Sequence, residues 1–206
     1  MSRQRQWSIG VALAVAALLT VACGRSANAD ETTAPPGVRV VSLVDLGDAA
    51  AVAGWTTVND PVMGGKSTSR VAFDNGGLTF SGTVSLENNG GFASARSPQD
   101  PGIGEKAAGA TALSVRAAGD GKTYVLKVGV AGQPWSYIQR FRTDPGVTRS
   151  YPLPLDGFAP VGMRLDPDPK APRRLDPSTI DQVAVYILDK QQGPFAITIT
   201  GVDATS

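Results

Sequence analysis

Residues 83–96 read TVSLENNGGFASAR, in which two short alternating runs flank a cluster of Asn and Gly. Asn-Gly is the strongest short signal for a β-hairpin, because a type I′ turn needs a positive φ at both central residues. A turn at residues 89–90 sets Glu87 opposite Phe92, with the apolar side chains of both runs on the other face. The stretch therefore predicts an antiparallel hairpin with one buried face.

The chain around this stretch repeats the same pattern of short apolar runs and turn residues. It contains 24 Gly and 15 Pro, which disfavours long helices. Many short strands at close spacing predict an all-β sandwich. Residues 46–53 and 177–181 are expected to form a helical turn or two. The candidate strands cover residues 38–44, 69–73, 77–80, 83–87, 91–96, 112–117, 123–130, 136–142, 149–154, 183–188 and 195–202.

Three of these strands also indicate which way their side chains face. Residues 123–130 (TYVLKVGV) alternate, which predicts one buried face. Residues 183–188 (VAVYIL) are apolar at every position, as expected of a central strand that is covered on both sides. In the last strand, Phe195, Ile197 and Ile199 share one face.

The first 37 residues have the order of an export signal. A short basic start precedes an apolar run that is too short to span a membrane, and small residues follow it. Residues 19–24 (LTVACG) resemble the lipobox of bacterial lipoproteins, in which the cysteine receives a lipid and becomes the first residue. We expect a signal peptide at 1–22, a lipidated Cys23 that begins a flexible linker at 23–37, and one domain at 38–206. The alternative is an ordinary signal peptide cut near Ala27 or Ala29.

The predicted lipid places the domain at the cell membrane, on its extracytoplasmic face. Cys23 is the only cysteine, so an intrachain disulfide is excluded, and an unlipidated Cys23 would be a reactive thiol without a partner. Residues 25–37 (RSANADETTAPPG) are small, polar and rich in Pro, which is typical of a flexible tether.

The residue counts exclude several kinds of site. The chain has no histidine, so a Ser-His-Asp relay, a Cys-His pair and a zinc site of His and Cys are impossible. Calcium would need six to eight oxygens, whereas the acidic loop at Asp166 and Asp168 offers two carboxylates; a structural calcium is possible but not supported. The charges nearly balance, with 19 Lys and Arg against 18 Asp and Glu. We therefore predict no nucleic-acid binding.

Residues 64–67 (GGKS) resemble the end of a phosphate-binding loop. Such a loop requires an earlier glycine, but Asp60 and Pro61 occupy that part of the chain, and no strand–helix context follows. We therefore predict no nucleotide binding. The same stretch is expected to be a loop that Asn59 and Asp60 cap through their side chains, while the glycines supply positive φ angles.

The polar face of the predicted hairpin is the candidate binding surface. It presents one aromatic ring, Phe92, among Glu87, Asn88 and Arg96, a combination suited to gripping a sugar or a polar peptide. The alternative is an ordinary solvated face, with the ring partly covered by a loop. Two further aromatic candidates for a binding platform are Trp135 and Tyr137, for which packing in the core is the alternative.

Several stretches, in order, resemble the complex I intermediate-associated protein 30 domain family. They are residues 80–96 (FSGTVSLENNGGFASAR), 119–124, 141–143 and 189–195 (DKQQGPF), together with an earlier motif after Trp55. The positions that we assign to a structural motif are Trp55, Asn59, Asp60, Met63, Gly64, Gly65, Gly90 and Gly91.

The resemblance implies a jelly-roll β-sandwich similar to galactose-binding domains, and a non-enzymatic role in the assembly of respiratory complex I. Export would put the domain on the side opposite the NADH-oxidising arm, so the client would be a membrane-arm surface or a different protein. The alternative function is a carbohydrate-binding module for envelope glycans. A glycosidase would need two carboxylates across a cleft, and no local pattern proposes such a pair.

Overall fold

The computed structural model describes residues 37–206. The predicted signal peptide, Cys23 and nearly all of the predicted linker lie outside the described residues. Among residues 37–206, no helix has the length and hydrophobicity needed to cross a membrane.

The described part of the chain is predominantly β-structure. In chain order its elements are β1 (Val40–Asp45), α1 (Ala49–Ala53), β2 (Thr56–Asn59), β3 (Thr68–Asp74), β4 (Gly77–Val84), β5 (Ala93–Arg96), α2 (Gly102–Ala107), β6 (Ala112–Ala118), β7 (Thr123–Val130), β8 (Ser136–Arg142), β9 (Thr148–Pro154), β10 (Ala159–Val161), β11 (Ile180–Ile187) and β12 (Gly193–Thr205). Single 3₁₀ turns occur at Asp60–Met63, Glu87–Asn89, Leu155–Gly157 and Pro177–Thr179.

The strands form two antiparallel sheets that pack face to face. Sheet 1 has the order β3-β4-β12-β6-β9, and β1 also pairs with β12. Sheet 2 has the order β10-β8-β7-β11-β5-β2. The predicted all-β jelly-roll sandwich is therefore confirmed, and the apolar side chains of the two inner faces form its core.

The long strand β12 shows how the sequence keeps this core continuous. Phe195, Ile197 and Ile199 are buried, as predicted, and Val202 and Ala204 are buried further along the strand. An uninterrupted alternation would turn the last two outward. The register shifts between Ile199 and Gly201, and this bulge restores the inward direction of the apolar side chains.

The elements that the sequence did not predict are short. Strands β2 and β10 lie at opposite edges of sheet 2 and span four and three residues, too few for a recognisable alternation. Helix α2 contains two glycines, which disfavour a helix. It forms because Ile103 and Ala107 are buried in the core and Gly104 lies against the backbone of the 3₁₀ turn at Pro177–Thr179.

The predicted hairpin at residues 83–96 is wrong. Strand β4 pairs with β3 and β12 in sheet 1, whereas β5 pairs with β11 and β2 in sheet 2. The stretch between them therefore crosses from one sheet to the other. Asn88 and Asn89 have positive φ angles (54° and 58°), but Gly90 has φ of −64°, so the backbone does not make the type I′ turn that Asn89-Gly90 favours.

Candidate functional site

The loops that carry the distinctive sequence motifs meet at one end of the sandwich. Val84 at the end of β4 pairs with Gly193 at the start of β12. Likewise Ile187, at the end of β11, pairs with Ala93, the first residue of β5, and with Tyr124, the second residue of β7. Antiparallel pairing thus gathers the loops 60–67, 85–92, 119–122 and 188–192 at that end.

Asp60 ties two of these loops together. Its side chain is 1% exposed, and Oδ1 accepts a hydrogen bond from the backbone N–H of Ser67 at 2.8 Å. Oδ2 accepts from the Ser67 hydroxyl and from the backbone N–H groups of Gly91 at 2.6 Å and Phe92 at 3.2 Å. Burial raises the pKa of Asp60, but the four hydrogen bonds outweigh it, and the pKa lies below its ordinary value. We name this arrangement the Asp60 clasp.

The clasp explains why glycines stand beside it. A Cβ atom on Gly65 would lie 2.4 Å from Asp60 Oδ1, and one on Gly90 would lie 2.8 Å from Asp60 Oδ2. Gly64 has φ of 91° and ends the 3₁₀ turn that begins at Asp60. The motif around residues 59–67 is therefore a loop that Asp60 caps through its side chain, as the sequence predicted. The other two details were wrong: Asn59 makes no capping hydrogen bond, and of the two glycines only Gly64 has a positive φ angle. The Gly-Gly-Lys-Ser stretch contacts residues of the same protein.

Two further side chains fix the neighbouring loops. The Asp120 carboxylate accepts hydrogen bonds from the Tyr124 hydroxyl at 3.1 Å and from the backbone N–H of Ala196 at 3.0 Å. The Gln191 side chain bonds both backbone groups of Thr123, at 3.0 and 2.6 Å. These contacts hold the loops 119–122 and 188–192 against the ends of the sheets.

The outer face of sheet 2, next to this end, carries a second cluster of buried side chains. Its buried members are Val125, Ile138, Val161, Ala184 and Tyr186, and the partly buried Phe92, Leu165 and Leu188 pack against them. Strand β11 is thus covered on both faces, as predicted. The cover comes in part from the turn at 162–165, where the N–H of Leu165 donates to the Gly162 carbonyl at 3.0 Å.

Tyr186 is the centre of this face. The guanidinium carbon of Arg96 lies 5.5 Å from the centroid of its ring, and the Lys127 ammonium nitrogen lies 5.9 Å from the same point. The Phe92 ring centroid is 6.5 Å away. Tyr186 is only 3% exposed, and burial raises the pKa of its hydroxyl above the ordinary value. Both distances to the cations are within the range of a cation–π interaction.

A groove of about 570 Å³ opens beside Tyr186. Part of the lining is Asn89, Gly90 and Gly91, of which Gly91 donates its N–H to Asp60 in the clasp. The remaining lining is apolar and charged: Val58, Phe92, Met163, Leu165 and Leu188, the cations Arg96, Arg140, Arg164 and Lys190, and one carboxylate, Asp189. A second groove, of about 780 Å³, shares Arg140 and Leu165 with the first and continues over β8 and β10. We name the first of these the sheet-2 groove.

The candidate residues from the sequence divide between this groove and other places. Phe92 and Arg96 both line the groove. Glu87 pairs with Lys66, and the Asn88 side chain donates to the Gly64 carbonyl at 3.1 Å, so both belong to the crossing loops. A shared binding role for the four residues remains a prediction.

The other two aromatic candidates pack toward the interior. Trp135 contacts the main core, and Tyr137 is buried there, with its hydroxyl donating to the Pro172 carbonyl at 2.8 Å. This is the core-packing alternative, and neither residue lines the sheet-2 groove. The sequence did not single out Tyr186, because its strand has the pattern of a core strand, or Lys127, because it lies on the outward face of an alternating strand.

The described residues contain no group of three or more acidic or cysteine side chains arranged to hold a metal ion. In the groove, Asp189 is the one carboxylate among the lining residues described. Both of its oxygens accept from Arg140, each at 2.8 Å. That pairing lowers the pKa of Asp189 through the hydrogen bond from Arg140. Among its described lining residues, the groove therefore offers no free acid–base pair.

Two solved structures with a similar fold are carbohydrate-binding modules. The family 11 module from Clostridium thermocellum, in complex with a β-1,3-1,4-mixed-linked tetrasaccharide, has a TM-score of 0.54 and 13% identity, over 80% of this chain and 94% of that one. The family 11 module of the cellulase Lic26A-Cel5E of the same organism has a TM-score of 0.50 and 12% identity, over 73% and 86%. At such identities the likeness is one of fold.

No individually curated protein sequence matches the chain. A family model does match, over residues 44–199, from the second half of β1 to the middle of β12. The matched region contains the Asp60 clasp, the Asp120 and Gln191 contacts and both sides of the sheet-2 groove. The chain belongs to the complex I intermediate-associated protein 30 family.

Proposed function

We propose that this chain is a non-catalytic binding module, tethered to the membrane through Cys23, whose sheet-2 groove holds a segment of another protein. The observation that carries the proposal is the lining of the groove. Its one described carboxylate is engaged by Arg140, while Met163 is 88% exposed and lines the same groove as Phe92 and Leu165. Apolar side chains that line one groove and are rimmed by polar groups, as Phe92, Met163, Leu165 and Leu188 are here, are typical of a site for a protein partner.

The family name supports an assembly role as the finer form of this proposal. In that role the domain would associate with an incomplete membrane complex and leave it once assembly is finished. Because the predicted lipid puts the domain on the extracytoplasmic face, the client would be the exposed part of a membrane arm or a different membrane protein.

A carbohydrate ligand is the second candidate. The observation that favours it is the Arg140–Asp189 pair, which offers planar hydrogen-bonding groups in the same groove as the half-buried Phe92 ring. Sugars bind to such a combination of a ring and fixed polar groups. The family 11 module with a similar fold is solved with a tetrasaccharide.

A site-specific crosslink tests the choice between these candidates. A photoreactive phenylalanine analogue at Met163, in the full-length lipidated chain, is expected to give discrete protein adducts in native membranes. The matched control places the analogue at Phe73, which is also exposed but lies on β3 of sheet 1. Equal adducts from both positions, or adducts with glycan alone, would contradict the protein-binding proposal.

The tether is tested by replacing Cys23 with Ser. We expect the wild-type chain to sediment with membranes and to be released by detergent but not by salt, because a lipid anchor depends on buried acyl chain. The Cys23→Ser chain is expected in the soluble fraction or uncleaved. Fractionation of the variant as a processed membrane protein, like the wild type, would contradict lipidation and favour a different anchor.

A further inference from the structure

The cations on the outer face of sheet 2 are arranged around a small residue. Ala184 on β11 pairs with Arg96 on one side and with Lys127 on the other. Neighbouring strands lie about 4.8 Å apart, so the two Cα atoms are roughly 10 Å apart across the sheet. Ala184 itself carries only a methyl group and is buried, and the Tyr186 ring lies close to both charges.

This pair of like charges has no acidic partner in the described part of the chain. The ion pairs there join Lys66 to Glu87, Arg116 to Asp203, Arg140 to Asp189 and Arg149 to Asp144. Burial lowers the pKa of Lys127, and the nearby Arg96 charge lowers it further. A half-buried cation beside another cation costs free energy, and the Tyr186 ring offsets that cost only in part.

An excess of positive charge also lines the sheet-2 groove. Arg140 is neutralised by Asp189, but Arg164 and Lys190 also line the groove without an ion pair among the residues described. The apolar part of the lining is mostly aliphatic, with Met163, Leu165 and Leu188, and suits apolar side chains of a peptide. Tyr186 is almost wholly buried, which leaves Phe92 as the one accessible aromatic ring among the lining residues described.

We infer that the protein segment held by the sheet-2 groove is acidic, with carboxylates meeting Arg96 in the groove and Lys127 just outside its lining, on the other side of Tyr186, and with an apolar side chain packing against Phe92 and Leu165. This inference rests on the proposed function and specifies the chemistry of its partner. A carboxylate that accepts from Arg or Lys forms a charge-assisted hydrogen bond, which is stronger than a hydrogen bond between neutral groups. They would also compensate the charge pair that the folded domain leaves uncompensated.

Binding of a labelled random copolymer of glutamate and tyrosine tests the inference. The full-length chain in detergent is titrated, and fluorescence anisotropy is read at low and at high ionic strength. We expect binding that weakens with salt and falls about tenfold in Arg96→Gln and in Lys127→Gln, since one charge-assisted contact is lost in each. The control Arg70→Gln removes an exposed arginine from β3 in sheet 1 and is expected to bind as the wild type does.

Two accompanying measurements separate binding from folding and chemistry. The melting temperature of Lys127→Gln is expected to equal or exceed that of the wild type, because the variant removes an uncompensated charge. Phe92→Ala is expected to weaken binding of the copolymer more than binding of polyglutamate, which has no apolar side chain to bury.

The outcomes that would overturn the inference are distinct. If polygalacturonate binds more tightly than the copolymer with the same dependence on Arg96 and Lys127, the ligand is an acidic glycan. If Arg70→Gln weakens binding as much as Arg96→Gln and Lys127→Gln do, or if the copolymer does not bind, this surface does not select acidic peptides. A Met163 crosslink to a neutral or basic protein segment would overturn this inference and leave the proposed function standing.

Discussion

Replacing Asp60 with Asn is expected to lower the free energy of unfolding by about 3 kcal/mol. Every group that contacts the carboxylate is a hydrogen-bond donor to it: the N–H and hydroxyl of Ser67 and the N–H groups of Gly91 and Phe92. An amide of the same shape has one oxygen, so its NH₂ group would face donors in a buried site. Denaturant unfolding of the full-length chain measures the loss.

The matched control for this variant is Asp156→Asn. Asp156 is exposed and also lies in the first turn of a 3₁₀ segment, so its replacement is expected to change the free energy of unfolding by less than about 0.5 kcal/mol. Equal effects of the two substitutions would mean that the clasp adds nothing beyond the removal of a charge.

The loss of unfolding free energy in Asp60→Asn is also expected to depend on pH. Because the pKa of Asp60 is lower in the folded protein than in the unfolded chain, its contribution to stability is complete above the ordinary carboxyl pKa of about 3.9. It is lost as the pH falls through the lower, folded-state pKa. The difference between wild type and Asp60→Asn is therefore expected to be constant near neutral pH and to shrink below about pH 4. A deficit that grows in acid would contradict this account.

Replacing Tyr186 with Ala is expected to lower the free energy of unfolding by about 3 kcal/mol and to abolish acidic-peptide binding. The ring is almost fully buried, so its removal leaves a cavity beneath Phe92 and takes the aromatic face away from Arg96 and Lys127. The two cations would then repel each other without the ring that holds them. Thermal unfolding and copolymer titration measure the two effects.

Tyr186→Phe is the matched variant, because it keeps the ring and removes only the hydroxyl. It is expected to stay within about 1 kcal/mol of the wild type and to retain binding, since the cation–π contacts depend on the ring face. If Phe behaves like Ala at this position, the hydroxyl rather than the ring organises the groove.

Much of the sandwich could be predicted because its strands carry a regular period. Strands β7 and β8 have the predicted bounds, and β11 is covered on both faces as its continuous apolar run indicated. The pairing of residues 83–96 could not be predicted in the same way. Local turn preference favoured a hairpin there. The backbone conformation is instead fixed by hydrogen bonds to the Asp60 carboxylate, which lies about 30 positions earlier in the chain, so no local sequence pattern indicates it.

The candidate site was predicted only where a polar pattern marked it. Phe92 and Arg96 stood out as an aromatic and a cation on one face, and both line the sheet-2 groove. Tyr186 did not, because VAVYIL is the pattern of a core strand, and Lys127 occupied an ordinary outward position. Tyr186, Lys127 and Arg96 come together because β11 lies between β5 and β7. The hydrophobic period of a single strand does not reveal the order of the strands in the sheet.

The Asp60 clasp has a consequence for how a ligand would meet this protein. The loops that it joins, 60–67 and 85–92, both pass between the two sheets, so neither can swing away without breaking a buried contact of the other. One wall of the groove consequently has the rigidity of the sandwich itself. A partner that docks there does not have to order that wall, so less of its interaction energy is consumed by lost entropy. The choice between partners then depends on the shape and charge of each partner, because the wall does not change its conformation to fit them.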